Sequence, residues 1–205
     1  MVCMISDREA GFPWTKFEHL LRLPEIFGPQ WEDGLPADPA VAVAPQSLEA
    51  NQFIWLMMDE SLALGFVAIG MRGRNWAEMH VGFRTGVRGI LKKVACIYVL
   101  DRMLNGIGVH KISAFVPEFN MPARLMARSL GMEFEGKISN CCKRHGRTYD
   151  RLAYGVTRDE FLNWLKRRNL YNSSHPPEQP ECRADERAER PEPGVRKRRE
   201  YRLDS

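Results

Sequence analysis

Long apolar runs are missing from this chain: none of its 205 residues belongs to a stretch near the roughly 20 residues of a membrane-spanning helix. A disulfide framework is missing too. The five cysteines, Cys3, Cys96, Cys141, Cys142 and Cys182, are odd in number and two are adjacent. That usage suits a reducing compartment. Cys141, Cys142 and His145 have no second ligand pair at zinc spacing, so they read as strand-end residues, one cysteine facing in and one out, with no metal site. Strong charge of one sign is also absent. The net charge of +4 suits an anionic small ligand and is too weak to indicate nucleic acid by itself. The amino end, MVCMISDREAGF, carries early acids and no apolar core, which reads against a secretory signal. A cytoplasmic protein without membrane contact is the expectation.

What is present suits a globular domain. Hydrophobic residues make up 44% and charged residues 27%. The composition divides the chain into a domain over 1–170 and a tail over 171–205. The tail is rich in Pro, Glu and Arg and almost lacks large aliphatics. It cannot bury enough apolar area to offset its ordering entropy, so it reads as disordered. Its basic cluster, Arg196 to Arg199, reads either as a solvated face or as a contact for a protein or nucleic-acid partner.

Element signals follow in order. Phe17, Leu20 and Leu21 sit at helical spacing before Pro24. GPQWEDGLPADP reads as a loop and AVAVAP as a short strand. QFIWLMMD and LALGFVAIGM read as a buried hairpin. MRGRN is a basic turn. AEMHVGF alternates, with Ala77, Met79, Val81 and Phe83 on one face and Glu78 and His80 on the other. GILKKVACIYVLDRML reads as a helix whose stripe runs through Ile90, Val94, Ile97, Leu100 and Leu104, with Cys96 a buried thiol beside it. HKISAFV is a strand. Asn120 caps a helix with Pro122 just inside it, which carries Leu125, Met126, Ser129 and Leu130 and stops at Gly131. Two more strands flank CKRHGR, and Thr157 with Glu160 opens a last helix as a capping box. The order argues an α/β (α+β) fold: a mixed, largely antiparallel sheet flanked by helices. Trp14, Trp31 and Trp55 fill the core or line an acceptor groove.

The junction at AEMHVGF–RTGVRG–GILKK bears on chemistry. A strand feeding a helix through a glycine loop aims backbone amides and the positive helix end at one spot, which suits a phosphate. Gly86 and Gly89 allow close backbone approach. Arg84 and Arg88 add positive charge. A plain turn is the competing reading.

Asn120, SLGM at 129–132, Glu135-Gly136, Tyr149-Asp150 and YGVTRDEF together resemble the carboxyl half of a GNAT N-acetyltransferase domain, and within it the ribosomal-protein alanine acetyltransferase branch. The resemblance covers about residues 50–165. It implies acetyl-CoA as co-substrate and an amine of a protein or small molecule as acceptor. The family's pyrophosphate loop runs Gln or Arg, two variable residues, Gly, one variable residue, then Gly or Ala. This chain offers Arg84, Thr85, Gly86, Val87, Arg88, Gly89, so Val87 stands where the middle glycine belongs. By analogy, residues Arg84 to Ile90 bind the pyrophosphate and Asn120 contacts the CoA arm. The family's acidic tyrosine falls at Ala127 and is absent. Divergent GNAT-like proteins also occur in tailed bacteriophages, and this chain is similar to them in texture. A phage-encoded member would work in the host cytoplasm as a monomer or homodimer.

Acetyl transfer needs a neutral amine and a polarised thioester. Glu78 is the first candidate base and His80, on the same face, the second. Both also read as ordinary sheet-surface residues. Amides of a splayed strand after Glu78 would hold the oxyanion. The competing function is a catalytically inactive GNAT-like structural or assembly protein with a partner-binding tail.

Overall fold

The computed structural model describes residues 2–27 and 52–170. The AVAVAP segment, Trp31, the tail and the Arg196–Arg199 cluster lie outside the described residues. Seven strands form one sheet: β1 Val2–Ser6, β2 Gln52–Asp59, β3 Leu62–Met71, β4 Trp76–Phe83, β5 Lys111–Pro117, β6 Glu133–Arg144 and β7 Arg147–Thr157. Their order is β1-β2-β3-β4-β5-β7-β6. Neighbours are antiparallel except β4 and β5, which are parallel. Among the described residues five α-helices accompany the sheet: α1 Trp14–Leu21, α2 Pro24–Phe27, α3 Gly89–Asp101, α4 Met121–Ser129 and α5 Arg158–Arg167.

Both faces of the sheet centre are covered, which is why β2 and β3 read as continuous apolar runs. On one face Phe17, Leu20 and Leu21 of α1 and Ile26 of α2 pack on Ile54, Leu56, Met58 and Phe66. On the other, α3, α4 and α5 bring Cys96, Val99, Leu100, Ala127, Leu130, Phe161 and Leu165 onto Val67, Ile69, Ala77, Met79, Ile112 and Tyr154. Trp55 is part of this second core. Strand β1, which pairs along β2, carried no legible signal, because all five of its residues are only half-buried.

Two helical stripes differ from expectation. On α3, Ile90 and Val94 are 64% and 54% exposed, whereas Ala95, Cys96, Val99 and Leu100 are buried. The helix is apolar nearly all round, so periodicity does not choose its buried face and packing does. Beyond Asp101 it runs into a π-helical turn, Arg102–Ile107, which ends at Gly108 with φ 84°. That turn keeps the adjacent Met103 and Leu104 both in the core. On α4, Leu125 is 59% exposed, and Ala127 and Leu130 face inward instead. The caps follow the sequence. Asn120 Oδ1 accepts from the Ala123 amide, and Thr157 and Glu160 form the reciprocal capping box.

Candidate active site

Strands β4 and β5 pair over three residues only: Trp76 with Lys111, Ala77 with Ile112 and Glu78 with Ser113. Both continue, β4 to Phe83 and β5 to Pro117, so beyond Glu78 and Ser113 they part and leave a wedge in the sheet. The Arg84 amide bonds to Leu64 of β3, and the Trp76 carbonyl accepts from Arg72. Even-numbered backbone groups of β4 therefore turn toward β3. By the strand's alternation Met79, the residue after Glu78, turns its N–H toward the wedge. The outer ends of the two strands lead into α3 and α4, so both helices start at the wedge's open end.

The loop into α3 carries the phosphate-site candidates. Val87 N–H donates to the Arg84 carbonyl, closing a turn with Gly86 at φ 86°. Glycine suits that corner because a side chain would be strained there. The glycine thus sits one position early because the turn needs it at 86, and Val87 is left half-buried. Arg88 is the N-cap of α3 and gives no side-chain cap. The Gly89 and Ile90 amides find no carbonyl within the loop and open to the exposed end of the helix. Arg84, Thr85, Gly86, Val87, Arg88 and Leu91 line an open cavity of about 560 Å³ together with Leu62 and Leu64 at the start of β3 and Glu25 of α2. The guanidinium groups of Arg84 and Arg88 reach this cavity, and the α3 N-terminus, with the Gly89 and Ile90 amides, starts beside it; together they suit a pyrophosphate.

Glu78 and His80 lie on the α1/α2 face of β4, the face on which Gly82 meets Ile26 and Phe66. The sheet thus stands between them and the helical layer that holds the phosphate loop. The two side chains touch: His80 Nε2 is 3.2 Å from Glu78 Oε1. Arg72 grips the other oxygen, with Nε 2.9 Å and Nη2 2.7 Å from Oε2. Glu78 is 8% exposed and so is no solvated strand residue. Its burial alone would raise the carboxyl pKa. The His80 hydrogen bond and charge, followed by Arg72, outweigh that and hold it below the ordinary range. Arg72 was legible in sequence only as part of a basic turn. The pairing of Gly70 with Glu78 and Met71 with Ala77 puts residue 72 diagonally across from Glu78, and that register is the signal that finds it. Ser113, opposite Glu78, is 3% exposed and accepts from Trp76 Nε1 at 3.0 Å; nothing in the sequence pointed to this pair.

Asn120 is buried beside the end of β5. Its Oδ1 is spent on capping α4, which leaves its amide NH₂ for a ligand. Ala127, where the family's tyrosine falls, is 4% exposed and faces the core. Arg124 lies one turn into α4, donates to the Glu118 carbonyl and has a buried Nε with no acceptor. Glu135 lies over Gly155 and pairs with Lys111 at 2.6 Å, which gives the Glu135-Gly136 motif a structural place at a bulge of β6. Cys141 is exposed and Cys142 buried. Burial pushes the Cys96 thiol up to about 12. Among the described residues no His, Cys, Asp and Glu group has metal-binding geometry, and no helix is long and apolar enough to cross a membrane.

The overall arrangement of strands and helices is similar to that of solved proteins. The Vibrio cholerae spermidine N-acetyltransferase, determined with CoA and spermine, overlays with a TM-score of 0.66 at 16% identity, over 79% of this chain and 98% of that one. A GNAT-family acetyltransferase from Bacillus anthracis gives 0.62 at 14% identity, over 77% and 96%. The fold is that of the GNAT acetyltransferases. Protein p31 of Acyrthosiphon pisum secondary endosymbiont phage 1 is 25% identical over 122 residues, 59% of this chain and 79% of p31. No family model matches.

Proposed function

We propose that this protein transfers an acetyl group from acetyl-CoA to an amine. The observation that carries the reading is the wedge between β4 and β5, with bare helix-start amides on one side of the sheet and the Glu78–His80 pair on the other. A pyrophosphate held by Gly89, Ile90, Arg84 and Arg88 would set its arm along the wedge, beside Asn120. The thioester carbonyl would then meet the Met79 amide, a preorganised donor for the oxyanion. The amine attacks from the Glu78 and His80 side. The N–C bond forms, the C–S bond breaks, CoA leaves as its thiolate, and the amine proton passes to Glu78 or His80. Ala127 supplies no acid to the leaving thiolate, so water protonates it. Positioning in the wedge supplies much of the rate. The resemblance to the ribosomal-protein branch favours a protein amine as acceptor, and spermine in the Vibrio enzyme supports a polyamine as the small-molecule alternative.

The test is release of free CoA thiol from acetyl-CoA, followed against a panel of polyamines and peptide amino termini. Amine-dependent release that saturates in acetyl-CoA supports the reading. A second reading, a GNAT-like assembly part without turnover, is favoured by Ala127 and by the phage relative. It predicts no release with any amine.

A further inference from the structure

The Glu78 carboxylate has two acceptor oxygens, and the fold commits both. Arg72 takes Oε2 through two nitrogens, at 2.9 and 2.7 Å. His80 takes Oε1 at 3.2 Å. Gly70, opposite Glu78 in the register, leaves open space where its own Cβ would be, so the side chains can lie flat across the sheet. An ionised carboxylate only accepts, so the hydrogen of this His–Glu contact must sit on His80 Nε2. In the neutral imidazole the other nitrogen, Nδ1, then carries a bare lone pair. The His80 side chain is 49% exposed, against 11% for Glu78. The nitrogen that reaches substrate is thus on the open member of the pair, and the anchored member is the buried one.

Resting on the acetyl-transfer reading, we propose that His80 Nδ1 is the atom that takes the amine proton, and that Glu78 and Arg72 are positioning residues that fix its tautomer and orientation. The charged surroundings are compatible. The turn just after β3 presents Arg72 at this spot, β5 presents the uncharged Ser113, and α2, which lies on β4, carries Glu25, which lines the cavity at the α3 loop. Glu78, held by two Arg72 nitrogens on Oε2 and kept below the ordinary carboxyl range, is a poor acceptor for the amine proton. In the reaction the amine nitrogen bonds to the acetyl carbon and its proton moves to Nδ1. The imidazolium so formed keeps its Nε2–H on the Glu78 carboxylate, which stabilises the charge. The imidazolium then gives the proton to solvent.

The test has a spectroscopic arm and a kinetic arm. Two-bond ¹H–¹⁵N imidazole spectra of the full chain should show His80 as the Nε2–H tautomer. In Glu78→Ala and Arg72→Ala, His80 should exchange between tautomers, and Arg72→Lys should restore part of the single form. An Nδ1–H tautomer in the wild type, or an unchanged spectrum in Glu78→Ala, overturns the positioning roles. In the kinetic arm CoA release is measured with spermidine as the amine. His80→Gln should lower kcat at least tenfold with KM for acetyl-CoA unchanged. Arg72→Ala should lower kcat less. An unchanged kcat in His80→Gln overturns the role of Nδ1. Absence of wild-type release with spermidine and with every other amine counts against acetyl transfer itself, and the spectra alone then decide the positioning roles.

Discussion

Glu78 shows how neighbours set the role of one side chain. Burial works against its charge, while His80 and Arg72 hold the carboxyl pKa below its ordinary value. Between that lowered value and the ordinary 4.5, the unfolded chain binds the extra proton. This contribution to stability is therefore fully present above 4.5 and is lost as pH falls through the folded value. Glu78→Gln removes the titration. The wild type's denaturation midpoint should fall more steeply with acid than the variant's, and parallel slopes would contradict the assignment. The thiols give an independent residue-scale test. Cys96 is fully buried with its pKa near 12, whereas Cys141 is exposed. Reagent and mass spectrometry should find Cys141 labelled in the native protein and Cys96 only after unfolding.

Single glycines fix how elements meet. Gly131, at φ 82°, ends α4, and a Cβ there would lie 2.6 Å from the Trp164 ring of α5. Gly131→Ala combines left-handed strain with overpacking and should cost about 2–4 kcal/mol in denaturant unfolding. Gly86 also has positive φ, but open space surrounds its missing Cβ. Gly86→Ala should cost only about 1 kcal/mol in stability, while weakening CoA binding through the displaced loop. Equal stability costs at the two glycines would contradict this account. Elements with local chemistry were legible in the sequence: the Asn120 cap, the Thr157–Glu160 box, the β2–β3 hairpin and the alternation of β4. The expected stripe on α3 holds at Leu100 and Leu104, which are buried, but not at Ile90 and Val94, which are exposed, because the apolar residues of this helix surround it and leave packing to choose the face. Strand β1 was missed because its pattern exists only against β2.

At the scale of the molecule, the sheet separates two chemistries and the wedge joins them. The candidate phosphate loop opens α3, on the layer of α3, α4 and α5, with Glu25 of α2 reaching its cavity, and the Glu78–His80 pair lies on the face under α1 and α2. Neither the wedge nor the Arg72–Glu78–His80 chain is a run of sequence. Both arise from register: three parallel pairs and then divergence, and a hairpin that sets residue 72 across from residue 78. A sequence read by spacing places Glu78 and His80 on one face of β4 but not the arginine that pairs with Glu78. Coenzyme binding can be tested before any acceptor is known, because the proposed coenzyme site uses only the loop, Asn120 and the parted strands. The deciding measurement is calorimetric titration of the full chain with CoA, beside the Gly89→Glu variant, which places an acid at the start of α3. The account predicts saturable one-to-one binding by the wild type, a thermal stabilisation of about 2.7 kcal/mol at hundredfold excess over Kd, and loss of binding in the variant. No heat and no thermal shift at millimolar CoA would contradict it.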